Sequence, residues 1–542
     1  MTFRGRWPRV CHVYCDVQSY DRVTQTVADS VILIYSGKCS LPSKLSISTL
    51  NIMPQSSGTT NPIPPAQFYG APAPKPPAQA TQDALRIPSH PLPPRDGPSP
   101  VRFSASGFNP YTSMHFLQDK RDRQMETECR GKFVGPMPPA NFLSEFLNDS
   151  MLKEEVRDPF IFTEESKKYF KKAQKSNSEV AMYPHLIDGL KDYCPELDIK
   201  DTHNNNQSSE WARNRAVLKP DITAYERNTD LAEPMDMTRA EVIVEVKIHP
   251  DDDPFVDKPK GGNTSQGQSP HERSTILGGD VRGQIITYAT AQLAAQYRTH
   301  AFSVIIVNDG ARLIRWDRAG AIFTRKFDYR KFHYLAEFFW RYNRATRAAR
   351  GHDESVTMAH GLDDELVIEA RAALGCAPND SLYRFEVVDE VTGEKTYYLG
   401  KAPSFKGNKS LTGRSTRGIV VYDLKNRKVA YLKDTWRVCG TGYDIDKEGD
   451  TYRKLKAAGV RNVPTVVAFG DVGDEMWHRT QTDIFARKRG SFIRQLRGHR
   501  HCRLVFREVG RDLTSFETTG EIVGAIADAV EGRLRAGRYT PP

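Results

Sequence analysis

Gly413-Arg414-Ser415-Thr416-Arg417-Gly418-Ile419-Val420 decides how this chain is read. Small residues at a turn, running into an apolar β-branched stretch, form a loop that opens a strand. The pattern is Gly-x-Gly-x-x-Gly-x-Val with Ser415 in the place of the middle glycine. Such a loop lets main-chain N–H groups approach phosphate oxygens, and bulky side chains would hold them off. Past Gly418 lies Ala430-Tyr431-Leu432-Lys433, whose lysine is placed to reach phosphates from a strand. Beyond it Glu448 opens a helical pattern, where its carboxylate can pair with Lys433. The plainer alternative is an antiparallel sheet carrying a surface lysine and glutamate.

Around this stretch, Tyr383–Val388 and Lys395–Leu399 flank the turn Thr392-Gly393-Glu394, and Ile419–Asp423 pairs with Lys428–Lys433. A helix over Glu448–Ala458, strands Thr465–Phe469 and Arg503–Arg507, and a helix over Thr519–Arg535 follow. Upstream, an α/β pattern runs over 112–355, joined to the later unit (381–542) by a linker at 356–380. It comprises helices near Phe142–Leu147 and Val180–Leu190, strands Val217–Tyr225 and Ala240–Ile248, and a helix from Gly283. Strands Ala301–Val307, Ala311–Trp316 and Ala321–Phe327 and an aromatic helix close it. Residues 1–111 read as a disordered head, because 15 of the 34 prolines fall within 54–110 and little apolar material offsets the cost of ordering. Val31–Tyr35 is its one strand-like run. The fold class is mixed, α/β followed by α+β, in several domains.

The later stretches resemble the fungal-type protein kinase family. The resemblance rests on Gly413–Gly418, Leu432-Lys-Asp-Thr-Trp-Arg437, Tyr452-x-x-Leu-x-x-Ala-Gly-Val460 with Pro464 and Gly470-Asp471, and Leu504-Val-Phe-Arg-Glu-Val-Gly-Arg-Asp-Leu513. It extends upstream to Gly131–Pro136 and Arg350-Gly-His-Asp353, about residues 115–535 in all. It implies a kinase-like N-lobe, an antiparallel sheet of about five strands plus one helix. By the same resemblance Gly413, Ser415, Gly418 and Val420 would cover ATP phosphates, Lys433 would bind them, and Glu448 would position Lys433. Phe506–Val509 would approximate the adenine hinge, and ATP with Mg²⁺ would be the cofactors of a Ser/Thr kinase. The sequence departs from the pattern: it holds neither His-Arg-Asp nor Asp-Phe-Gly, the elements that supply the base and hold magnesium. The expectation is a pseudokinase-like or truncated form without phosphotransfer, or an inactive fragment or scaffold.

A second constellation lies upstream. Lys219-Pro220-Asp221 leads one strand, Glu245-Val246-Lys247 ends the next, and Gln284 and Tyr288 share a helix face. This resembles the PD-(D/E)xK nucleases. Asp221 and Glu245 would hold Mg²⁺, Lys247 would stabilise a metal-bound hydroxide, and Gln284 and Tyr288 would reach phosphate. No upstream acid stands out from its competitors. The alternative function is therefore a Mg²⁺-dependent nuclease or nucleic-acid-binding protein; the plainer alternative is a surface Glu-x-Lys on a strand.

Charge leaves the partner question open. With 77 Lys+Arg against 67 Asp+Glu the net charge is +10, which favours acidic partners or serves solubility alone. Arg341, Arg344, Arg347 and Arg350 recur every three residues, and 487–503 holds a second basic run; either can meet nucleic-acid phosphates or be a solvated face. A protein substrate or partner is the other expectation. No apolar run approaches the ~18–20 residues of a membrane span, and no signal peptide is legible. Eight scattered cysteines do not make a disulfide scaffold. The chain reads as intracellular, in cytoplasm or nucleus.

Overall fold

A computed structural model describes residues 118–537 except 155–157, 205–217, 232, 259–268, 360–364, 403–404, 407–409, 441–445, 489–495 and 513–514, together with two short strands nearer the N-terminus. Those strands, β1 (Val10–His12) and β2 (Ile32–Ile34), lie in the stretch expected to be without order. The Pro-rich part of the head lies outside the described residues.

The first half runs α1 (Gln118–Cys129), β3 (Phe133–Met137), α2 (Pro139–Phe146), α3 (Glu164–Gln174) and α4 (Glu179–Leu190). Then come β4 (Leu197–Asp201), β5 (Ile222–Glu226), β6 (Ala240–Lys247) and the long α5 (Ile276–Ala295). Strands β7 (Ala301–Val307), β8 (Gly310–Asp317), β9 (Gly320–Thr324) and β10 (Phe327–Asp328) and helix α6 (Tyr334–Arg344) complete it. The strands form one mixed eight-stranded sheet ordered β3-β9-β8-β7-β6-β5-β4, with β10 on β8. Both faces of β6 are covered. Val242, Val244 and Val246 pack with Phe302 and Val304 on one side, while Ile243 meets Tyr288 and Ala291 of α5 on the other. Each such buried side chain contributes ~1.5–3 kcal/mol. Alternation along β6 also sends Glu245 and Lys247 to the side of Ile243.

Residues 356–380, expected to be a linker, instead carry strand β11 (Val356–Met358) and helix α7 (Glu365–Ala373). The strand finds a partner in Tyr383–Phe385, and Val367 and Ala370 bury against Leu382 and Leu399, so the segment has enough apolar surface to order. The second half continues with β12 (Tyr383–Val388), β13 (Lys395–Gly400), β14 (Phe405–Lys406), β15 (Arg417–Asp423), β16 (Lys428–Cys439) and α8 (Glu448–Ala457). It ends with β17 (Val466–Asp471), the short α9 (Glu475–His478), α10 (Thr482–Lys488), β18 (Gly498–Phe506), β19 (Arg511–Asp512) and α11 (Thr519–Gly537). Its antiparallel sheet, ordered β11-β12-β13-β15-β16-β18-β17 with β14 on β15, has eight strands rather than about five. β19 pairs instead with β1.

Both large sheets belong to one compact unit. Polar groups bind them where they meet. Asp317 at the end of β8 accepts from the backbone of Gln481 and Thr482, and Gly413 N–H donates to the Arg318 carbonyl at 2.9 Å. The Arg417 guanidinium donates to the carbonyls of Leu293 and Gln296 at the end of α5, 2.7 Å each. Among the described residues no helix is long and apolar enough to cross a membrane.

Candidate functional site

Two places gather the residues singled out by sequence. On the second sheet, β15 and β16 form a hairpin that sets Gly418 opposite Lys433, and β18 flanks Lys433 with Leu504. Lys433 points to the side where Tyr452 of α8 packs on Tyr431 and Leu504. There its Nζ donates to Glu448 Oε1 at 2.6 Å, with Lys433 5% and Glu448 8% exposed. Burial lowers the Lys433 pKa and Glu448 pushes it back up. Arg414, from the glycine loop itself, donates to the other Glu448 oxygen at 2.9 Å.

The loop is committed to its own chain. Besides the Gly413 bond to Arg318, the Arg414 carbonyl accepts from Trp436 N at 2.8 Å, and Thr416 bonds the Thr435 hydroxyl at 2.8 Å. Ser415, in the middle glycine's place, holds a left-handed φ of +43°. Gly413 (φ +103°) needs its glycine for the same reason. Val420 is half-buried against the α8 side of the sheet. Phe506 is buried at the end of β18, with Val509 packed partly against it. The Lys433–Glu448 pair joins strand and helix, and the loop is joined to the first sheet through Gly413 and Arg417.

On the first sheet, β5 and β6 run antiparallel, so Asp221 at the head of β5 meets the end of β6. Asp221 Oδ2 accepts from Val246 N at 2.8 Å and stands 4.0 Å from Lys247 Nζ. Lys247 Nζ also donates to Glu245, which is 1% exposed. Glu245 Oε2 is buried and accepts no hydrogen bond. Burial, with Asp221 beside it, raises the Glu245 pKa against the pull of Lys247. Gln284 Nε2 donates to the Tyr288 hydroxyl at 3.0 Å, and that hydroxyl donates to the Lys219 carbonyl at 2.8 Å. Gln284 and Tyr288 thus brace the strand that presents Asp221.

Sequence reasoning missed two members. Tyr183 of α4 donates to Asp221 Oδ1 at 2.7 Å, and Glu179, the first residue of α4, accepts from Ile248 N at 3.4 Å. Burial raises the Glu179 pKa, and Lys247 and Asp221 act on it next in order. The only local signal was Ser178 capping the helix that starts at Glu179, which does not distinguish this glutamate from its neighbours.

The basic row at the end of α6 and just past it has partners within the chain. Arg341 bonds Glu337, Asp149 and the Leu147 carbonyl; Arg344 the Tyr193 carbonyl; Arg347 Glu226; and Arg350 is buried on the carbonyls of Tyr342 and Asn343. Spacing by three places these residues around the helix end, where carbonyls need donors. In the second run, residues 489–495 lie outside the described residues, Arg503 is buried, and Arg500 bonds the carbonyls of Gly473 and Asp474.

A family model described as fungal protein kinase matches residues 272–535. The match begins inside the first half of the molecule and takes in α5, β7 to β10 and α6 as well as the second sheet; Gln284 and Tyr288 fall within it, Asp221, Glu245 and Lys247 outside. No curated protein and no solved structure matches the chain.

Proposed function

Given that the chain belongs to the fungal protein kinase family through residues 272–535, we propose that it is a kinase-like protein whose residues 381–537 form an N-lobe-type sheet. We propose further that these 542 residues alone do not transfer phosphate. The observation that carries the reading is the buried 2.6 Å pair between Lys433 on a strand and Glu448 at the head of the packed helix. Transfer requires, in addition, a base for the hydroxyl proton and carboxylates for magnesium, and neither His-Arg-Asp nor Asp-Phe-Gly occurs. With the glycine loop bound to the first sheet, no step is assigned to ATP or Mg²⁺ here. Incubation with labelled ATP, Mg²⁺ and generic protein substrates should give no labelling; labelling that disappears in Lys433→Ala would overturn the reading.

A second reading is supported by the first sheet. Asp221 and Glu245 place two carboxylates around Lys247, with Glu179 beside them, and Glu245 keeps a buried oxygen without a donor. Oxygen donors of this kind suit Mg²⁺, which when bound would polarise a phosphodiester or activate water. Lys247 would face the developing charge, Tyr183 and the Val246 N–H would orient Asp221, and Tyr288 would hold the Lys219–Asp221 turn. This is a nuclease-type site for nucleic acid. Plasmid nicking in Mg²⁺ or Mn²⁺ should fall at least ~100-fold in Asp221→Ala and Lys247→Ala; nicking untouched by both variants would end this assignment.

A further inference from the structure

Where the two sheets meet, Asp353, His478 and His501 come together, all buried, from a turn after α6, the end of α9 and the middle of β18. None of them belongs to either site above. His501 lies flat on Trp436, ring centroids 4.8 Å apart and planes 7° apart. Its Nε2 stands 2.5 Å from Asp434 Oδ1, and Arg503 clamps Asp434 at 3.2 Å and Asp353 at 2.8 Å. A carboxylate so held only accepts, which puts the His501 proton on Nε2 and leaves a bare lone pair on Nδ1. His478 Nε2 stands 3.9 Å from Asp353 Oδ1, beyond hydrogen-bond reach, so that carboxylate does not fix the His478 tautomer.

The two Nδ1 atoms are 3.1 Å apart, with ring planes 17° from parallel. Two ring nitrogens so close share a positive centre, either a proton or a metal ion. Imidazole nitrogens ~2.0–2.1 Å from a tetrahedral ion stand ~3.3 Å from each other, close to what is found here. Asp353, its orientation fixed by Arg503 and by Ser355 N at 3.0 Å, lies 3.9 Å from His501 Nδ1 and supplies the third ligand. Beside Asp353 and His501 is a cavity of about 10 Å³, room for a single water, lined also by Asp434 and Arg417. Gly473 clears space for the His478 ring: a Cβ there would stand 2.6 Å from its Cδ2, on a backbone with φ +50°.

We propose that His478 Nδ1, His501 Nδ1 and the Asp353 carboxylate bind a zinc-class divalent ion that ties the junction of the two sheets, with Asp434 as the partner that orients His501. Two imidazoles and one carboxylate match the donor set zinc takes with an open position.

The test uses the full, tag-free chain dialysed against Zn²⁺ and then against metal-free buffer. About one equivalent of zinc should remain, Co²⁺ substitution should give the intense visible absorption of a tetrahedral site, and chelation should lower the melting temperature. His501→Ala should lose the ion, whereas Asp221→Asn, in the separate carboxylate cluster, should keep it. The wild-type cobalt spectrum stands even if His501→Ala does not fold. Zinc well below one equivalent together with no cobalt band would overturn the proposal and leave a proton between the imidazoles as the positive centre.

Discussion

Removing Glu448 and removing Lys433 should have unequal costs, and the inequality follows from what each leaves behind. Glu448 answers to two cations, Lys433 at 2.6 Å and Arg414 at 2.9 Å. Lys433, fully desolvated, has Glu448 as the chief group opposing its burial, and Arg414 works against it. Glu448→Ala therefore leaves a buried ammonium facing a guanidinium, a loss of ~3–5 kcal/mol. Lys433→Met keeps most of the stem's volume and leaves Glu448 on Arg414, whose side chain is 31% exposed; ~1–2 kcal/mol is expected. For a cooperative unit of 150–250 residues, ~2–4 °C accompanies each kcal/mol, so the melting temperature should fall by ~10 °C in Glu448→Ala and ~4 °C in Lys433→Met. The pH dependence has a definite sign. In Glu448→Ala the folded-state pKa of Lys433 drops further below its unfolded value of ~10.4, so the unfolded chain binds more protons and stability rises with pH. The deficit against wild type should narrow as pH rises from ~7 to ~10. Calorimetry across that range is the assay. Lys433→Met melting at or below Glu448→Ala, or a deficit that does not narrow, would refute the reasoning.

Glu272, whose carboxyl burial pushes up to about 7 from 4.5, should hold a proton in the folded chain that the unfolded chain has released. Stability from this group is greatest below pH 4.5 and is lost as pH rises through 7, so Glu272→Gln should gain up to ~3 kcal/mol over wild type at pH 8 and nothing at pH 4, read from melting curves. Gly283 lets α5 touch α1: a Cβ there would stand 2.1 Å from the Asp122 carbonyl oxygen. Gly283→Ala should therefore cost ~1–3 kcal/mol despite alanine's better helix propensity, and a neutral or stabilising result in denaturant unfolding would mean that the helices can separate cheaply.

The order glycine loop, strand lysine, helix glutamate was legible because each step is local: a hairpin fixes which residue faces Gly418, and a helix start fixes Glu448. Asp221, Glu245 and Lys247 were legible for a similar reason, since alternation along β6 puts Glu245 and Lys247 on one side. Glu179 was not, because a capped helix opening on glutamate is common and only the packing of α4 on the end of β6 selects this one. The strand and helix within 356–380 were hidden by a polar composition whose few apolar residues count only once Leu382 and Leu399 are beside them. The intramolecular partners of the arginine row were not legible, because spacing says nothing of the carbonyls and carboxylates that meet the side chains.

The upstream motifs quoted for the family resemblance take on a different meaning in three dimensions. Gly131 N–H donates to Glu272 Oε1, Lys132 Nζ reaches the Thr412 hydroxyl beside the glycine loop, and Asp353 binds Arg503 of the second sheet. Arg417, inside the glycine loop pattern itself, is bound to the end of α5. All of these contacts serve the seam between the sheets or its immediate support. The match that begins at residue 272 takes in one side of this seam, α5 and β7 to β10, together with the second sheet. Arg417 and Gly413 thus tie the glycine loop to the first half of the molecule through the carbonyls of Leu293, Gln296 and Arg318.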